Sequence, residues 1–191
     1  KGYRGYPANI CASVNDEIVH GIPGDRVLKE GDIISLDFGA IFDGFQGDAA
    51  ITVGVGDITP TARKLIETTD GALKAGIAAV KHGVRLGDIG ATIQEYAESR
   101  GYSVVREYSG HGIGREMHED PLIPNFGEAG TGPVLQKGMT IAIEPMVNVG
   151  DWRTKVGSNR WTVSTVDGSL SAHFEHTVAV TNGNAEVLTA L

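Results

Sequence analysis

A single cysteine, Cys11, leaves this chain without any internal disulfide. That fits a reducing compartment, and the cytoplasm is the expected location. Long apolar runs are absent as well, so no segment reads as a membrane span. No secretory leader opens the chain, because Lys1-Gly2-Tyr3-Arg4-Gly5-Tyr6-Pro7 has no apolar core. An initiator methionine is also missing, as in a processed or trimmed product. Positive charge is scarce: 16 Lys and Arg face 24 Asp and Glu, for a net charge of −8. This disfavours a general nucleic-acid binder, which usually carries a basic stripe. Carboxylates gathered in a cleft have another use, since they attract divalent cations.

What is present suits one globular unit. The 191 residues are 41% apolar, and a globule of roughly this size buries about 70% of its unfolded surface. Residues 1–191 are therefore expected to form a single domain. Glycine is abundant at 27 residues. Because apolar runs lie between the glycines, they point to tight turns and close backbone approaches rather than to disorder.

Two runs, 33–38 and 49–53, read as strands around the hairpin signal Asp43-Gly44. With those two as the loop residues, Phe42 faces Phe45, Gly39 faces Asp48 and Asp37 faces Ala50. Opposed residues share a sheet face, as do residues two apart, so Asp37 and Asp48 point to one side as diagonal neighbours. A helix is expected from the cap Thr59-Pro60 through Ile66, Thr69, Leu73, Ile77 and Val80, ended by Lys81, His82 and Gly83. A second runs from the cap Asp88 to Gly101. The segments 102–107, 139–144, 161–166 and 171–181 read as strands, and 148–160 as a surface loop. Strands clustered around two amphipathic helices indicate an α+β fold.

Three short matches carry nothing. Asp37-Phe38-Gly39 lacks the other kinase motifs, Gly110-His111-Gly112-Ile113-Gly114 opens no helix, and His118-Glu119 has no second histidine four residues on. The remaining signal is a set of acids inside apolar strands. Glu144 ends Ile141-Ala142-Ile143-Glu144 and is held extended by Pro145, while Glu175 sits in Phe174-Glu175-His176-Thr177-Val178. Any one acid fits a solvated strand face. For all four acids, that reading requires four apolar strands each to be interrupted by a lone carboxylate, at a cost unless paired or on a metal. His111, between glycines, adds an imidazole. Four carboxylates and one imidazole form a hard site suited to Mn, Fe, Co or Zn. The ligand count favours two divalent ions, roughly 3.5–4 Å apart, over one.

The ordered motifs resemble the type I methionine aminopeptidases, members of the pita-bread metallopeptidases. They are Ser13-Val14-Asn15-Asp16-Glu17, His20-Gly21-Ile22-Pro23, Leu36-Asp37-Phe38-Gly39 and Asp43-Gly44-Phe45-Gln46-Gly47-Asp48. Gly110 to Arg115, Met117-His118-Glu119-Asp120-Pro121, Ile143-Glu144-Pro145-Met146-Val147-Asn148 and Phe174-Glu175-His176-Thr177 follow in the family's order. The resemblance implies a pita-bread fold, a curved antiparallel sheet flanked by helices. It also implies a dinuclear-metal aminopeptidase that removes N-terminal methionine when the second residue is small.

Carried to this chain, the resemblance makes Asp48 and Glu175 the bridging ligands. Asp37 then holds one ion, and His111 with Glu144 completes the other. His20 and His118 would touch substrate, with Glu144 as the proton shuttle. The methionine pocket would draw on Tyr3, Tyr6, Cys11, Met117 and Trp161. The implied partners are the N-terminal methionine of peptides and nascent proteins, and the ribosome, with the chain a monomer. Two departures stand out. The chain starts close to the first motif, as if the N-terminal part of the family domain were missing. And His173 stands where the family more often has glutamine; on a regular strand it shares a face with Glu175, which leaves it either a supporting donor to the site or a surface change.

Overall fold

The computed structural model describes residues 3–190; Lys1, Gly2 and Leu191 lie outside the described residues. The Asp43-Gly44 turn organises the sheet that carries the acids. Strands β1 (Cys11–Val14) and β2 (Glu17–Val19) precede the hairpin of β3 (Ile33–Phe42) and β4 (Phe45–Gly54). Asp43 and Gly44 take φ of 50° and 78°, the paired left-handed values a two-residue hairpin turn needs. The register is the one expected: Phe42 opposes Phe45, Gly39 opposes Asp48 and Asp37 opposes Ala50. Both strands run to the turn itself and so are longer than their apolar runs suggested.

Helix α1 (Pro60–Ala79) opens as anticipated, with the Thr59 hydroxyl accepting from the Ala62 amide. It ends earlier than expected. Val80 is extended and almost fully buried, so the chain leaves the helix to place that side chain in the core, and Gly83, at φ 88°, belongs to the next turn. Helix α2 (Leu86–Glu98) begins two residues before Asp88. Arg85 is the cap residue, and Asp88 lies inside the first turn, where its carboxylate accepts from the Arg85 amide.

The remaining strands are short: β5 (Ser103–Val104), β6 (Gly110–Gly112), β7 (Glu119–Ile123), β8 (Thr140–Ile143), β9 (Met146–Asn148), β10 (Thr154–Val156), β11 (Val163–Thr165), β12 (Ser171–His173), β13 (Glu175–Ala179) and β14 (Glu186–Val187). The main sheet runs β1-β3-β4-β13-β8-β6-β7, with β14 also on β13, and its pairs are antiparallel. Two sequence expectations change here. The polar segment 148–160 is not purely loop, since β10 pairs with β11. The run 171–181 is two strands broken at Phe174, and its neighbour breaks opposite it at Glu144-Pro145. His173 pairs with Met146 on one side of the break, and His176 with Ile143 on the other. Proline brings no amide to the ladder, so both strands kink at that level.

Alternation then divides the sheet into two chemically different faces. Ile141, Ile143 and Val178 point to the helices and pack with Leu73, Ile89 and Ile93, all essentially without solvent contact. Ala142, Glu144, Glu175 and Thr177 point the other way. The helices thus seal the apolar side and hold rigid a concave face that carries the acids. The architecture is α+β.

Candidate metal centre

Two adjacent rungs of the main sheet collect the chemistry. In the first, Cys11 opposes Asp37, Asp37 opposes Ala50 and Ala50 opposes Glu175. Side chains along one rung point the same way, so Asp37 and Glu175 face a common space although 138 residues separate them. In the second, Gly39 opposes Asp48 and, on the next three strands, Thr177 opposes Ala142, which opposes His111. The Thr177 hydroxyl bridges the gap. It accepts from the Asp48 amide and donates to the Asp48 carbonyl, each at 2.9 Å. Glu144 sits at the kink beside Glu175. All of the acids, with His111, line one cavity of about 280 Å3.

Ligand atoms of Asp48, His111 and Glu175 lie within 4.8 Å of one another, and so do those of Glu144, His173 and Glu175. Asp37 lines the same cavity but joins neither triplet. Asp48 Oδ1 and Glu175 Oε1 are buried and find no hydrogen-bond partner among the described residues. Burial, reinforced by the Asp48 charge, pushes the Asp37 carboxyl up to about 7. Burial also pushes Asp48 up to about 6, against an opposing bond from the Ala49 amide. Glu144 and Glu175 rise well above the ordinary range for the same reason, burial first and neighbouring acids next. The imidazoles move the other way: burial lowers His111, drives His173 down to about 3 and, with help from His111, takes His118 to about 4. Buried acids beside neutral imidazoles cannot neutralise one another. An orphaned carboxylate oxygen in such a place costs free energy that a divalent cation would recover. The donor set therefore fits a divalent metal.

The other expected residues surround this cluster. His20, at φ 59°, lines the cavity with its ring edge-on to Tyr108. His118 is at the exposed rim, 4.0 Å from the His111 ring between centroids. Tyr3, Tyr6, Cys11, Met117 and Trp161 all border the same space. Tyr6 presents a ring, not a hydroxyl, because its OH donates to the Gly21 carbonyl at 2.7 Å, and the ring meets Trp161 edge-on. Burial and the Asp37 charge raise the Cys11 thiol to about 12, so it stays neutral. Tyr3 is more polar in use than a side-chain pocket requires, since its hydroxyl lies 2.7 Å from His118 Nδ1. His173 is 1% exposed, which rules out a surface role. Arg4 also lines the cavity; it stood next to Tyr3 in the sequence with nothing to mark it.

Comparison with known proteins places this geometry. The sequence matches metallopeptidase family M24 over residues 1–182. The chain belongs to metallopeptidase family M24. Within it, the chain is 57% identical over 190 residues to a methionine aminopeptidase of Clostridium acetobutylicum, covering 99% of this chain and 76% of that protein. The crystal structure of methionine aminopeptidase from Thermotoga maritima superposes with a TM-score of 0.98 at 54% identity, covering 100% of this chain and 77% of that one. Prolidase from Pyrococcus furiosus, at 26% identity, has a TM-score of 0.77, and this chain covers 49% of it. The curved sheet with its helices is thus the pita-bread fold expected from the motifs. Among the described residues, no helix is long and apolar enough to cross a membrane.

Proposed function

We propose that this M24 chain is a metalloaminopeptidase that releases N-terminal methionine from peptides and nascent proteins when the second residue is small. The methionine aminopeptidases just described supply the substrate class, because each is similar to nearly all of this chain. The observation that carries the chemistry is the group of buried, unpaired carboxylate oxygens beside neutral imidazoles in one cavity.

Asp37, Asp48, His111, Glu144 and Glu175 would hold two divalent ions, Co, Mn, Fe or Zn, with Asp48 and Glu175 shared between them. When bound, such ions supply Lewis acidity and ionise a water at neutral pH. The protein's groups do the rest. The substrate's free amine sits at the Asp37 end of the cluster. Its methionine side chain lies among Tyr3, Tyr6, Cys11, Met117 and Trp161, where burial of the thioether is favourable. His118, neutral at working pH, donates to the carbonyl oxygen as negative charge develops there. His20 faces the scissile nitrogen. Glu144 carries a proton to the leaving amine. Nascent chains are the natural source of such substrates, so the ribosome is the proposed setting. A monomer is the proposed working form.

The test is hydrolysis of Met-Gly against Leu-Gly peptides after loading with Mn, Fe, Co or Zn in turn. Methionine preference is expected with at least one ion, and its absence with all of them would sink the substrate assignment. A Glu144→Gln protein that binds metal normally yet keeps full turnover would remove Glu144 from the proton path.

A further inference from the structure

His173 is a buried group beside the acids that the proposed reaction leaves without a task. Both its ring nitrogens are buried with no hydrogen-bond partner among the described residues. Its backbone is pinned, the amide donating to the Thr52 hydroxyl at 2.9 Å and the carbonyl accepting from it at 2.8 Å. The side chain is therefore aimed by the fold. It points at Glu144, whose two oxygens are divided between two imidazoles. Oε1 lies 3.6 Å from His111 Nε2 and Oε2 lies 3.7 Å from His173 Nε2.

Those separations are too long for hydrogen bonds. Both separations suit atoms that share one cation, since ligand bonds of about 2.0–2.2 Å place neighbouring donors roughly 3–4 Å apart. Glu175 completes the set, with a donor atom within 4.8 Å of both Glu144 and His173.

We infer that His173 is itself a metal ligand, and that Glu144, His173 and Glu175 form a cation position beside the one at Asp48, His111 and Glu175. This rests on the metallopeptidase reading and extends it. A nitrogen donor there favours Zn or Co over Mg or Ca. An ion so placed occupies the oxygens of Glu144, so excess Zn²⁺ is expected to slow turnover.

The experiment is NMR of isotope-labelled histidine nitrogens in the full chain, titrated with Zn²⁺ alone and followed in parallel by calorimetry. The His173 signal is assigned through the backbone, and independently by its loss in His173→Gln. Metal ligation is expected at His111 and at His173, with the His173 site weakened roughly tenfold or more in His173→Gln. Glutamine can replace a hydrogen-bond donor but not an imidazole ligand. If His111 shifts and His173 does not at saturation, the inference is overturned while the metallopeptidase reading stands. If neither shifts, both fail. The wild-type spectra decide this whether or not the variant folds.

Discussion

Replacing Asp37 by asparagine should stabilise the metal-free protein while weakening its function. In the folded chain the Asp37 carboxyl titrates at about 7 instead of 3.8, chiefly through burial and then through the Asp48 charge. A raised folded-state value means that the group's favourable contribution is complete below the unfolded value and is lost as pH rises through 7. At pH 8 the ionised form costs the metal-free fold up to about 4 kcal/mol. Burying the replacement amide takes back roughly 1–3 kcal/mol. A gain of about 2 kcal/mol should remain, which for a domain of this size raises Tm by roughly 4–8 °C. By pH 5 the carboxyl is protonated in the fold, and the gain should fall to less than half.

The absolute pH profile is a poor readout, because the lowered histidines His20, His111, His118, His173 and His176 oppose the acids. Their cost grows as pH falls below about 6.5. The difference between the variant and wild type cancels them. The assay is therefore thermal unfolding of both proteins in chelator at pH 8 and pH 5, repeated with Zn²⁺. Added Zn²⁺ should raise the wild-type Tm more than the variant's. An Asp37→Asn protein less stable than wild type at pH 8 without metal would refute the reasoning, as would a gain that does not shrink toward pH 5.

Other sites give independent tests. Tyr3→Phe removes the hydroxyl that meets His118 Nδ1; if that bond keeps the ring's proton on Nε2 for the substrate carbonyl, kcat should fall roughly 2–10-fold with KM little changed. Steady-state kinetics with a Met-Gly peptide would show it. In Gly39→Ala the added methyl overlaps the Met117 methyl; Met117 must shift into the cavity, so KM for methionine peptides should rise more than kcat falls. Thr59→Ala removes the α1 cap and should cost about 1 kcal/mol in urea unfolding with the catalytic parameters intact.

Much of the site could be read before the fold, where its geometry is local. The Asp43-Gly44 turn sets the register of its own hairpin, and period-two alternation then puts Asp37 and Asp48 on one face. The Thr59-Pro60 cap is equally local, because hydroxyl and proline act within one turn. Glu144, Glu175 and His111 stood out as polar groups within apolar or glycine-flanked runs, and the resemblance divided the five residues between two ions. Errors fell where a distant contact decides. Helix α1 stops before its apparent C-terminal signal because Val80 is drawn into the core, and residues 154–156 become a strand because β11 lies beside them.

The sequence by itself determined the acidic character, the hairpin register and the residue types able to bind a hard cation. Only the tertiary structure decided that Glu144, His111 and Glu175 meet Asp37 and Asp48, because strand order β3-β4-β13-β8-β6 is set by long-range pairing. It also decided the place of His173. A regular strand already puts that ring on the Glu175 face, but its burial and its distance to Glu144 follow from paired kinks at Phe174 and Pro145. No periodicity encodes a kink in a neighbouring strand, since it exists only once the two strands are side by side.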